Sequence, residues 1–116
     1  MSRRIKRLNV LIQTELAELI QDVKDPRLAD IVSITHADVS PDLETAQVNI
    51  SVFGSAEEKK DSIEALSHAA PYLKRELLKR LHIKKVPTLH FVLDESIEEA
   101  AHILEVMRKL SDQTAS

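Results

Sequence analysis

The chain predicts an α+β fold, a single domain with a three-stranded mixed sheet and helices packed on one face. Three observations support that prediction. Residues Ala46 to Val52 alternate strictly between apolar and polar, as in a strand with one face buried. Runs with three- and four-residue apolar spacing lie on both sides of the strand region. A long helical run separates the second strand from the third, and a crossover of that length joins parallel strands.

In chain order, the first helix is predicted from about Arg3 to Val23, where Ile5, Leu8, Ile12, Leu16, Leu19, Ile20 and Val23 form one apolar stripe. Asp25-Pro26-Arg27-Leu28 ends it, because the residue before a proline avoids helical angles. A β-branched strand follows from Ile31 to Val39, and Ser40-Pro41-Asp42 reads as a type I turn. The alternating strand comes next and pairs antiparallel with the first. Gly54 and Ser55 close it, and Ser55 with Glu58 has the spacing of a helix capping box, as does Ser96 with Glu99.

From Ser62 to Lys85, apolar residues recur at Ile63, Leu66, Ala70, Leu73, Leu77 and Leu81. Pro71 sits in the middle of this stretch. It lacks a backbone donor and clashes with the preceding turn, at about 3 kcal/mol in a helix interior, so a break into two helices is expected there. Val86 to Leu93 is the third strand, with Leu89, Phe91 and Leu93 on its core side. The last helix runs from about Ile97 to Leu110 with Ile97, Ala101, Leu104 and Met107 as its stripe. The expected domain spans 1–110, with 111–116 a frayed tail. The order is α-β-β-α-break-α-β-α.

Composition narrows the function. At 116 residues, with 43% hydrophobic and 30% charged residues, the chain is long enough for one modest core. No apolar run approaches the roughly 20 residues that span a bilayer, and the basic N-terminus lacks the apolar stretch of a secretory signal, so no membrane association is expected. There are no cysteines, which removes disulfides and thiol chemistry and fits a reducing cytoplasm. With Gly54 the only glycine, glycine-rich phosphate loops and serine nucleophile elbows are excluded.

The five histidines, at 36, 68, 82, 90 and 102, include no pair at four-residue spacing. Glu99-x-x-His102 matches one di-iron half-motif, and such centres need two. Asp94, Glu95, Glu98 and Glu99 read as acids compensating the positive end of a helix. Neither an enzyme nor a cofactor is expected.

Charge is distributed unevenly. Residues 1–11 and 71–85 hold ten of the sixteen Lys/Arg and one of the nineteen Asp/Glu, a net +9, which leaves −12 for the remainder. Arg3, Arg4, Lys6 and Arg7 occupy the first turns of a helix, where cations oppose the macrodipole at a few tenths of a kcal/mol each. A helix shaped by stability alone would carry acids there. Two segregated basic clusters indicate a polyanion-binding face. Aromatic residues are limited to Phe53, Tyr72 and Phe91, so recognition should rest on phosphates and shape more than on stacked bases.

Three segments, Asp25-Pro26-Arg27-Leu28, Val39-Ser40-Pro41-Asp42-Leu43 and Pro87-x-Leu89-x-Phe91-x-x-Asp94-x-Ser96, together resemble the ribosome-binding factor A family, in that family's order and spacing, from Arg3 to about Leu110. The resemblance implies a KH-like fold of the second type, in which an Ala-x-Gly kink replaces the Gly-x-x-Gly loop between two helices. Here Ala69-Ala70-Pro71 stands at that position, so a proline replaces the family's glycine.

The resemblance also implies a monomeric cytoplasmic factor. Such a factor binds 16S rRNA in free, immature 30S subunits, assists late maturation and 5′-end processing, and supports growth in the cold. The RNA-binding residues expected are Arg3, Arg4, Lys6, Arg7, Arg75, Lys79, Arg80, Lys84 and Lys85. Arg75, Lys79 and Arg80 fall opposite or beside the Leu73/Leu77/Leu81 face, whereas Lys74 lies near the apolar edge. Reversing Arg75, Lys79 and Arg80 to Glu is expected to abolish subunit association at little cost in stability. The alternative is a protein–protein adaptor that works through the acidic surface or the last helix.

Overall fold

The computed structural model describes residues 2–114. Its elements are α1 (Arg3–Leu19), followed by a short 3₁₀ turn (Ile20–Asp22), β1 (Val32–Val39), β2 (Thr45–Val52), α2 (Ala56–Leu81), β3 (Thr88–Leu93) and α3 (Ser96–Thr114). The strands lie in the order β1-β2-β3. β1 pairs antiparallel with β2, and β2 pairs parallel with β3 across the α2 crossover, which gives the mixed sheet.

Alternation decides what the sheet buries. Ala37, Val39, Ala46, Val48, Ile50, Val52, Leu89 and Phe91 point into one core with Ile12, Leu16 and Leu19 of α1 and Leu66, Leu73 and Leu77 of α2. Ser33, His36, Asp38, Gln47, Thr88 and His90 lie on the opposite, solvent-facing side. A bulge between Ile34 and His36 leaves Thr35 outside the ladder, and its hydroxyl donates to Asp94 Oδ2 at 2.6 Å. That bond ties β1 to the end of β3.

The helices differ from expectation in three places. α1 ends at Leu19, earlier than the Val23 expected, and tightens into the 3₁₀ turn. Adjacent Leu19 and Ile20 are both buried there, and Pro26 constrains only the residue before it. α2 does not break at Pro71. It is one 26-residue element with the proline inside it. Pro71 lies on the exposed side, while Leu66 before it and Leu73 and Leu77 after it are fully buried, so packing on both flanks offsets the lost backbone bond.

Ser55 accepts from the Glu58 N–H and Glu58 returns a bond to the Ser55 N–H, so the capping box forms. α3 continues to Thr114, so the described part of the expected tail is helical, and positions 115 and 116 lie outside the described residues. No described side chain of α3 is buried. The helix projects from the body, held at its first turn by a 2.6 Å ion pair between Lys59 and Glu98. The result is a long molecule of 63 × 37 × 19 Å with a radius of gyration of 17.2 Å, against about 13 Å for a compact chain of this size.

Candidate nucleic-acid interface

The first basic cluster is ordered helix. Ser2 caps α1 by accepting from the Ile5 N–H at 3.2 Å, and Arg3, Arg4, Lys6 and Arg7 project to solvent around the buried Ile5. The first turn of α1 contains no acid to offset them. The second cluster lies where α2 ends. His82 adopts a left-handed conformation (φ 52°) that terminates the helix and turns the chain through Ile83, Lys84 and Lys85 into β3.

The fold brings these clusters together. Arg4 and Arg7 line a groove of about 650 Å³ whose other wall includes Lys84 and Lys85, with Leu8, Leu11 and Ile83 among its apolar lining. The β1–β2 turn closes one side. Leu43 holds a positive φ of 64° and donates its N–H to the Ser40 carbonyl at 2.9 Å. Its side chain enters the groove, with Asp42 and Glu44 at the rim. Lys84 and Lys85 also line a second groove, on whose far side are Lys74 and Arg75.

The expected RNA-binding residues are not equally free. Arg80 Nη1 donates to Glu15 Oε2 at 3.0 Å and Glu18 Oε2 at 2.9 Å, clamping α2 to α1. These carboxylates hold its guanidinium above the ordinary arginine range. Lys85 Nζ reaches both Glu44 oxygens at 2.8 and 2.9 Å. Lys79 makes only a 3.5 Å approach to Glu76 and is 73% exposed. Among the described residues, Arg3, Arg4, Lys6, Arg7, Lys74, Arg75 and Lys84 have no ion-pair partner.

Sequence reading therefore assigned Arg80 a binding role where the structure engages it in an interhelical clamp, and it set Lys74 aside. Helical spacing shows which face of α2 a residue occupies. It carries no signal that Glu15 and Glu18 of another helix stand opposite Arg80. Among the described residues, no group of His, Asp or Glu could hold a metal ion, and no helix is long and apolar enough to cross a membrane.

Residues 4–107 match the family model for ribosome-binding factor A. The chain belongs to that family. Ribosome-binding factor A of Acetivibrio thermocellus is 42% identical over 95% of this chain and 90% of its own length. The crystal structure of ribosome-binding factor A from Thermus thermophilus superposes with a TM-score of 0.68 at 27% identity, covering 77% of this chain and 94% of that one. A homology model of the Thermus thermophilus factor, fitted into the cryo-EM map of a 30S–RbfA complex, matches with a TM-score of 0.64 at 26% identity over 75% of this chain and 91% of that one. The α+β arrangement is the KH-like fold of ribosome-binding factor A structures, here with an uninterrupted α2.

Proposed function

We propose that this protein is a small-subunit assembly factor that binds free, immature 30S subunits through 16S rRNA and assists late maturation, including processing of the 16S 5′ end. The observation that carries this reading is the groove in which Arg4 and Arg7 face Lys84 and Lys85, two clusters far apart in sequence, on a chain of this family. The Thermus thermophilus relative fitted into a 30S complex supports the choice of partner. The protein acts as a cytoplasmic monomer, holding an rRNA conformation without chemistry or a cofactor of its own, and its activity matters most for growth in the cold.

Phosphate contacts dominate such an interface, with Arg3 and Lys6 beside the groove and Arg75 and Lys79 further along α2 extending the track. Log affinity should then fall linearly with log salt, by roughly 0.7 to 0.9 per phosphate neutralised. Arg4→Glu/Arg7→Glu/Lys84→Glu is the decisive variant, because none of the three residues has an ion-pair partner to lose. It should fail to co-sediment with free 30S subunits while melting at the wild-type temperature. Retained binding, or a preference for 50S or 70S particles, would sink the proposal.

A second reading, a protein–protein adaptor, draws on the exposed apolar stripe of α3, where Ile97, Ile103, Leu104, Met107 and Leu110 are all more than half exposed. Salt-insensitive binding that depends on α3 would favour it.

A further inference from the structure

α3 is 19 residues long and stands clear of the body, with Ile97, Ile103, Leu104, Met107 and Leu110 between 57% and 66% exposed. A helix of about this length is marginal in water by itself, and in proteins most of its stability comes from covering an apolar stripe. The chain offers no such cover. The open side of the sheet presents Ser33, His36, Asp38, Gln47, Thr88 and His90, a polar surface that does not match the stripe.

Charge along the helix narrows what the cover can be. Glu98 and Glu99 lie in its first turn, and Arg108 and Lys109 lie between two and three turns later. With Glu105 and Asp112 the helix carries four acids against two bases, a net −2. That balance repels an RNA backbone, and it lacks the basic polar face of a helix that lies on an anionic membrane.

A second copy of α3 does fit, with the two helices antiparallel about a two-fold axis at the middle of the stripe, between Ile103 and Leu104. That symmetry sets Ile97 level with Leu110 of the other copy, and Ala100 level with Met107, a small side chain opposite a large one. It also sets Glu98 and Glu99 level with Lys109 and Arg108 of the other copy, twice over. Packed helices lie about 8–10 Å apart, close to the screening length of about 8 Å at physiological salt, so acid and base still attract across the pair. Parallel helices would set acid beside acid and base beside base.

We infer that α3 is a self-association surface on which two copies of this chain pair antiparallel through Ile103, Leu104 and Met107. The inference is independent of the rRNA reading. The basic groove gathers residues that precede β2 and β3, whereas α3 departs after β3, so pairing leaves the groove open. A contact of two helices is smaller than a standard interface, which makes the pair weak, with a Kd on the order of 100 μM. In low-micromolar solution the chain is therefore the monomer of the function above, and α3 adds nothing to its unfolding midpoint.

Sedimentation velocity of the full chain, from about 1 to 500 μM around that Kd, should pass from the mass of one chain to that of two. Leu104→Glu should keep the mass of one chain throughout. Leu104 is 66% exposed, so this variant should retain the circular dichroism and melting temperature of the wild type in dilute solution. Arg108→Glu/Lys109→Glu sets acids level with acids and should weaken pairing at least tenfold. The 2.6 Å bridge it removes, between Arg108 and Glu105 of the same helix, is exposed and contributes little to folding. Raising sodium chloride from about 0.05 to 0.5 M should weaken the wild-type pair severalfold.

A pair that strengthens with salt would overturn the antiparallel arrangement, because screening helps only helices whose like charges face each other. One-chain mass at every concentration would overturn self-association and leave α3 to a different protein. Two-chain mass that survives Leu104→Glu would place the contact on another surface and overturn the inference as well.

Discussion

Arg80 shows how a residue's role depends on what faces it. From α2 alone it is one of several outward cations, yet across the helix interface it bridges Glu15 and Glu18. Arg80→Glu would place three carboxylates together, so it should lower the melting temperature measurably, while Arg75→Glu leaves it unchanged. Thermal melts of the two single variants test this, and equal melting temperatures would dissolve the clamp. The triple reversal of Arg75, Lys79 and Arg80 therefore mixes a binding defect with a folding defect.

Ser62 is fully buried and accepts the Ala29 N–H at 2.9 Å, a bond between α2 and the loop before β1. Ser62→Ala leaves that amide without a partner and should cost about 1–3 kcal/mol by urea denaturation. Asp94 is held down to about 2 by hydrogen bonds from Ser96 and then Thr35. Its folded value lies below the ordinary aspartate value, so its stabilisation is complete above about pH 4 and is lost as pH falls toward 2. Asp25, lowered to about 2 by Arg27, titrates in the same window. Asp94→Asn should make acid unfolding shallower between about pH 4 and 2, and an unchanged acid limb would refute this.

At the scale of elements, the strands were legible and α2 was misread at one residue. Alternation over Ala46–Val52 specifies which face is buried because a strand's side chains alternate strictly, whatever packs on them. Pro71 signals a local cost, and whether a helix breaks there depends on the burial of its flanks, which local sequence does not report. Leu66, Leu73 and Leu77 supply that burial. With the helix already continuous, Pro71→Ala restores a backbone donor and should raise stability by about 1–3 kcal/mol, read from denaturation midpoints. A loss of stability would mean that the core depends on a proline-induced bend. α3 is the opposite case. Its stripe reads as core-facing, yet none of its described side chains is buried, so deleting residues 100–116, which spares Ser96 and Glu98, should leave the unfolding midpoint nearly unchanged.

For the whole molecule, the net charge of −3 conceals a separation into regions of opposite sign. The basic groove gathers the start of α1, the β1–β2 turn and the end of α2. Glu95, Glu98 and Glu99 lie beyond the far ends of β2 and β3, where α3 departs. A polyanion approaching this field is steered toward the basic end, so association rates with 30S subunits should fall steeply between low and physiological salt, while dissociation changes less. Stopped-flow measurement at two ionic strengths checks this, and a salt-independent association rate would argue for the adaptor reading.

By itself the sequence determined the α+β class, the order of the elements apart from the break it placed at Pro71, the buried faces of β2 and β3, and the family. Each of these follows from local periodicity or from motif spacing, which folding does not alter. The tertiary structure decided which cations are free. It put Arg80 against Glu15 and Glu18, set Arg4 and Arg7 across from Lys84 and Lys85, and left Leu78 and the α3 stripe without a core partner. The physical reason is that an ion pair, a groove or an exposed apolar surface belongs to two or more segments at once, and no single stretch of sequence records what will face it.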